Sequence, residues 1–182
     1  MGKRSDFQRI ERDYYPTPIE AVKPLVPHLP SVPFNYTEPC AGDGRLVLHL
    51  RDLTGGRSLC QGAYDIEPRY SAVKKMDAMS IQSASMFITN PPWDRKVLHP
   101  LIEHLSSIAP TWLLFDSDWT HTRQSAPFMP RLQKVVSIGR VKWIEDSKMT
   151  GKDNCCWYLF DIHNDLPSQF FGRLPTNTED NG

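Results

Sequence analysis

Asn90, Pro91, Pro92 and Trp93 are the residues whose types and order most directly suggest chemistry. They follow a short apolar run, Met86-Phe87-Ile88, fit for a buried strand. Neither proline has an N–H to donate, so a central strand cannot run on through them. The chain must leave the sheet at Asn90, in a rigid extended turn whose carbonyls point outward. A side-chain amide, unpaired carbonyls and an indole then stand at the carboxyl end of a strand, where open α/β sheets bind ligands. Asn90 Oδ1 and the Pro91 carbonyl are hydrogen-bond acceptors there, and Trp93 offers a flat surface to a ring.

A second group lies upstream. Phe34-Asn35-Tyr36-Thr37 reads as a strand and runs into Glu38-Pro39-Cys40-Ala41-Gly42-Asp43-Gly44-Arg45, then into the apolar helix Leu46–Leu50. Strand, glycine-rich turn and helix form the nucleotide-binding arrangement of doubly wound sheets. Gly42 and Gly44 let the backbone turn tightly and approach a ligand. The third glycine of a dinucleotide fingerprint would fall at Val47, and no Gly-Lys-Ser/Thr follows, so a dehydrogenase and a P-loop are both disfavoured. Glu38 suits a cationic ligand and would repel a pyrophosphate. Leu59–Tyr64 reads as the second strand and ends in Asp65-Ile66-Glu67-Pro68. An acid there can accept both ribose hydroxyls, and Asp65 lies about twenty residues beyond Gly44, the spacing expected of such an acid. Glu67, one strand period on, is the competing carboxylate.

Together these strings resemble the S-adenosylmethionine (SAM)-dependent amino-methyltransferases. Asn90-Pro-Pro-Trp93 resembles their catalytic motif IV and Glu38-Pro-x-x-Gly42-x-Gly44 their motif I. Tyr15-Pro-Thr17-Pro18, just ahead of the first strand, resembles motif X; Asp65 and Asp77 resemble the acids of motifs II and III. The resemblance implies an α/β, Rossmann-like class I SAM methyltransferase fold, a seven-stranded mixed sheet whose last strand pair is antiparallel. It implies a SAM site built from Tyr15, Thr17, Pro18, Glu38, Cys40, Ala41, Gly42, Gly44, Asp65, Ile66 and Asp77, with Asn90 at its edge. In that pattern Thr17-Pro18 packs on the methionine part, Asp65 takes the ribose and Ile66 faces the adenine, whose amine Asp77 accepts. In the same pattern Asn90, Pro91, Pro92 and Trp93 are the catalytic set: Asn90 Oδ1 and the Pro91 carbonyl accept from a target amine whose lone pair is delocalised, favouring the charge that builds on nitrogen during attack, and Trp93 stacks on a base flipped out of its duplex. The implied reaction is methyl transfer to an exocyclic amine, above all N6 of adenine in DNA.

No block of 80 or more residues is left for a target-recognition domain. DNA methylation of short specificity, recognition lent by a partner, and a different substrate therefore stay open; the same motif serves adenine or guanine amines in RNA and a glutamine amide in proteins. A non-catalytic SAM-fold binding protein is the rival from another class, and it predicts damage to the motifs. The compactness resembles small phage or mobile-element enzymes.

The remaining sequence supplies the supporting elements. Thr17 suits a helix N-cap, with Pro18 at the first helical position and Glu20 at the capping-box place. A short helix is expected near Tyr70–Lys75, a third strand ending at Met76–Met79, a helix over 94–109 and a buried fifth strand at Thr111–Phe115. Trp119 then lands on the same edge as Asn90, either as a pocket wall and candidate nucleic-acid contact or as packing. Lys134–Ile138 and Cys155–Phe160 form the final strand pair, joined by a polar loop. Arg140, Lys142, Lys148 and Lys152 there are candidate phosphate contacts. Residues 1–13 read as a flexible basic leader, 14–165 as one methyltransferase domain and 166–182 as a polar tail.

The 182 residues suit one domain. Lys+Arg and Asp+Glu are both 21, so a nucleic-acid surface requires local clustering of the cations. No apolar run approaches the ~18 residues of a membrane span, and no signal sequence opens the chain, so the cytoplasm is the expected location. Cys40, Cys60, Cys155 and Cys156 include no Cys-x-x-Cys pair, and the histidines are scattered; no metal site is expected.

Overall fold

The computed structural model describes residues 15–144, 151–163 and 166–173. Eight strands form one mixed sheet: β1 (Phe34–Glu38), β2 (Ser58–Asp65), β3 (Lys74–Lys75), β4 (Phe87–Thr89), β5 (Thr111–Asp116), β6 (Leu132–Arg140), β7 (Asn154–Phe160) and β8 (Gln169–Phe171). Their order across the sheet is β3-β2-β1-β4-β5-β7-β6-β8. Strands β1 to β5 pair in parallel, and β7 lies antiparallel between β5 and β6. Because β1, β2 and β4 run the same way, their carboxyl ends open on one edge. That edge carries the site.

The sequence alternates as a sheet buried on both faces requires. On β5, Trp112 and Leu114 enter one core while Leu113 and Phe115 enter the other. Phe87 and Ile88 of β4 divide in the same way, as do Cys155 and Cys156 of β7. One face is covered by α1 (Ile19–Val22) and α2 (Arg45–Leu53), the other by α3 (Arg95–Ile108). Leu46 and Leu50 on α2, and Leu98, Leu101, Ile102 and Leu105 on α3, follow the three-to-four spacing of a buried helical stripe. Asp94 caps α3 by accepting the Lys96 N–H at 2.9 Å.

Several expectations are corrected. The sheet has eight strands, not seven, because Gln169–Phe171, expected in a tail, pairs in parallel with β6. The third strand is Lys74–Lys75, and residues 69–73 form bends and turns in place of the expected helix; Ala78–Ser80 is a 3-10 turn capped by Asp77. Thr17 does not cap α1. Pro18 is the N-cap residue, its carbonyl accepting the Ala21 N–H at 3.0 Å, and the Thr17 hydroxyl is engaged elsewhere. No helix among the described residues is long and apolar enough to cross a membrane.

Candidate active site

The turn after β1 is tied to the end of β2. Ala41 N–H donates to the Tyr64 carbonyl at 2.7 Å, and Gly44 N–H to the Ala41 carbonyl at 2.7 Å. Gly42 and Gly44 take φ of 52° and 75°, in the left-handed region where a Cβ is disfavoured. Asp65 locks the two strand ends together. Its Oδ2 accepts the Gly42 N–H at 2.8 Å and its Oδ1 the Glu67 N–H at 2.8 Å. A carboxylate has about four acceptor positions, so each oxygen keeps a lone pair in a fixed direction.

These turns, the end of β4 and the segment before α1 line an open cleft. Tyr15, Thr17, Glu38, Cys40, Ala41, Asp65, Ile66, Asn90 and Pro92 all line it. Pro18, Gly42, Gly44, Pro91 and Trp93 stand outside the lining. Asp77 is also outside the lining, with its Oδ1 committed to the Met79 N–H at 2.9 Å. Asp43, Leu46, Glu67 and Arg69 complete the lining. Asp43 could have been flagged by its place between two glycines. Arg69 had no local signal, because it arrives through its N–H bond to the Gly42 carbonyl at 3.0 Å.

Glu38 dominates the electrostatics. It is 1% exposed, and its Oε2 has no hydrogen-bond partner. Burial, then the nearby Asp43 and Asp65, push its carboxyl well above the usual carboxylate range. An unpartnered buried carboxyl oxygen beside two more acids is a costly arrangement unless a cation or donor completes it. The cleft thus fits a ligand with a cationic centre, while Ile66, 56% exposed, gives an apolar surface next to Asp65.

Asn90 is held from one side. Its Nδ2 donates to the Tyr15 carbonyl and to Thr17 Oγ1, both at 3.2 Å. Two acceptors on the nitrogen side determine which way the amide lies. Oδ1 then faces Trp93, whose indole N–H donates to the Leu114 carbonyl at 3.1 Å and reaches Oδ1 at a long 3.4 Å. Trp93 is half-buried and meets Trp143 edge-on, with centroids 5.6 Å apart; Tyr15 lies 6.2 Å from the Trp143 ring. Trp143 escaped sequence reasoning because it belongs to no periodic element, and only the pairing of β6 with β7 brings it here.

Trp119 is corrected. It is fully buried, packed against Phe115, Tyr158 and Phe160, and its indole N–H donates to His99 Nε2 at 3.0 Å. The indole N–H can only donate, so Nε2 accepts, in keeping with the lowering of the His99 pKa by burial and Arg95. Trp119 is a core residue with no surface for nucleic acid. Arg140, Lys142 and Lys152 are exposed on the carboxyl edge, and Lys148 lies outside the described residues.

No protein-family model matches the chain, and no curated protein matches its sequence. Solved structures match its fold. A dimethyladenosine transferase from Plasmodium falciparum superposes with a TM-score of 0.51 at 14% identity, over 81% of this chain and 62% of that one. The 23S rRNA methyltransferase ErmE gives 0.51 at 13% identity, over 82% and 70%. A chain of a type I R-M system gives 0.58 at 10% identity, over 94% of this chain and 47% of that one. The chain has the class I SAM-dependent methyltransferase fold. It spans under two thirds of the Plasmodium chain and about half of the type I R-M chain.

Proposed function

We propose that the chain transfers a methyl group from SAM to an exocyclic amine, with N6 of adenine in DNA as the leading acceptor. The observation that carries this reading is the orientation of Asn90. Its nitrogen is tied to Tyr15 and Thr17, so an acceptor oxygen is presented beside aromatic rings at the edge of an acid-lined cleft. When bound, SAM supplies an electrophilic methyl on a sulfonium. Glu38 would hold the cationic end, its buried Oε2 gaining the partner it lacks. Asp65, already oriented by Gly42 and Glu67, would take the ribose hydroxyls, with Ile66 against the adenine.

On the acceptor side, Asn90 Oδ1 and the Pro91 carbonyl accept from the amine and stabilise the charge that develops on it. Trp93, pinned by its bond to Leu114, and Trp143 offer ring surfaces to a base taken out of its stack. No general base is needed before attack, because the amine proton can leave to water afterwards. Arg140, Lys142 and Lys152 would contact phosphates. RNA is the second reading, favoured by the dimethyladenosine transferase and the rRNA methyltransferase among the fold neighbours.

Labelled methyl transfer from SAM to unmethylated genomic DNA, total RNA and a protein extract, followed by mass spectrometry of the digests, tests the proposal. N6-methyladenine from DNA is the expected product. Label in RNA or on glutamine would move the substrate and keep the Asn90 chemistry. No label in any acceptor, with SAM still bound, would favour a binding protein.

A further inference from the structure

The added strand β8 lies beyond β6 at the margin of the sheet and runs parallel to it, so it points toward the edge that carries Asn90. Two residues past β8, Arg173 lays its guanidinium over Gly139. A Cβ at Gly139 would stand 2.8 Å from Arg173 Cζ and Nε. Gly139 has φ +78°, at the irregularity where the β6–β7 register shifts. The bare backbone there is what admits the guanidinium, and Arg173 is thereby seated on the sheet and not merely trailing from it.

From that seat a row of cations runs inward along the carboxyl edge. Arg140 is next to Gly139 and opposite Asn154; Lys152 is two residues before Asn154; Lys142 leads to Trp143, which packs on Trp93. All four cations are exposed. Among the described residues none of the four has an ion-pair partner, although Asp153 lies among them in sequence, whereas Lys23, Arg45, Arg51 and Arg95 are each paired with a carboxylate. Neighbouring strands lie about 4.8 Å apart, so the four intervals from β8 to β4 put Arg173 roughly 19 Å from the strand bearing Asn90. That distance covers about five or six phosphate steps at the ~3.4 Å rise of one strand of a duplex.

We propose that Arg173, with Arg140, Lys142 and Lys152, forms a track for the sugar–phosphate backbone of the nucleic acid whose base enters the cleft, with Arg173 as its outer contact. This rests on the reading of the site as one that modifies nucleic acid. The track neutralises phosphates and releases their counterions, so its signature is a salt dependence. It carries no sequence information, in keeping with phosphate contacts in general.

The test titrates the full chain with a labelled 24-base-pair DNA duplex and with single-stranded RNA of matching sequence, from 50 to 200 mM salt. Arg173→Ala should reduce the slope of log affinity against log salt by about 0.9 on duplex DNA or about 0.7 on the single strand. On the duplex, the advantage of wild type over variant then shrinks about 3.5-fold across that range. Arg173→Lys should keep the wild-type slope, as should Arg51→Ala, a paired cation on α2. SAM affinity, measured alongside, should be unchanged. An unaltered slope in Arg173→Ala on both probes overturns the track, and so does failure of the wild type to bind either. Binding that depends on Arg173 without methyl transfer to any acceptor keeps the track and sinks the catalytic reading instead.

Discussion

Replacing Thr17 by valine should slow methyl transfer while leaving the cleft in place. The change keeps the size and branching of the side chain and removes one of the two acceptors that orient the Asn90 amide, the hydroxyl 3.2 Å from Nδ2. One amide hydrogen then faces an apolar group in a part-buried position, a loss of about 1–2 kcal/mol in the preference for the active orientation. A flipped amide would present donors, not an acceptor, to the amine. With only the Tyr15 carbonyl left to hold it, the amide populates the flipped orientation, and the rate of the chemical step falls by up to about 5- to 30-fold. Single-turnover methyl transfer at saturating SAM reads this directly, with calorimetry of SAM binding in parallel. Thr17→Ser keeps the hydroxyl and should restore most of the rate. If Thr17→Val turns over at the wild-type rate, or the serine variant is as slow as the valine one, the orienting role is refuted. A loss confined to SAM affinity would return Thr17 to the cofactor role that its motif resemblance implies.

Glu38 links function to pH. Its folded pKa is raised above the ordinary 4.5, so the free protein gains stability from the protonated form at low pH and loses it as pH rises through the folded pKa. Urea midpoints of the SAM-free protein should fall over that window, while Glu38→Gln should stay level and be the more stable at neutral pH. A cationic ligand prefers the ionised form, so wild-type SAM affinity should rise with pH through the same window, and Glu38→Gln should bind weakly and without that dependence. Trp119→Ala should destabilise the fold by about 3–5 kcal/mol in urea titration, since it empties a fully buried ring site and strips His99 of its donor.

The central strands were legible because burial on both faces demands unbroken apolar runs, as at Thr111–Phe115, and because the two prolines after Asn90 end β4. The edges were not. Lys74–Lys75 and Gln169–Phe171 are short and largely exposed, so no apolar alternation marks them, and the polar composition around β8 reads as a tail. Most of the expected cleft residues do meet, since chain order places them at the carboxyl ends of parallel strands. What stayed hidden were the bonds between segments far apart. The Thr17 hydroxyl has the same local signature whether it caps a helix or holds an amide 73 positions away. Trp119 carried two readings that only burial could separate, and Trp143 and Arg173 reach their places through strand pairing that no local pattern records.

In the proposed mechanism Asn90 directs methyl transfer to an amine. The most direct test of that role is single-turnover transfer by wild type and Asn90→Ala on the acceptor found in the labelling experiment, with SAM affinity measured on the same preparations. A loss of roughly 10²-fold or more in rate, with SAM affinity within a few-fold of wild type, is the predicted result. Turnover near the wild-type rate in Asn90→Ala would contradict the account, whatever the acceptor.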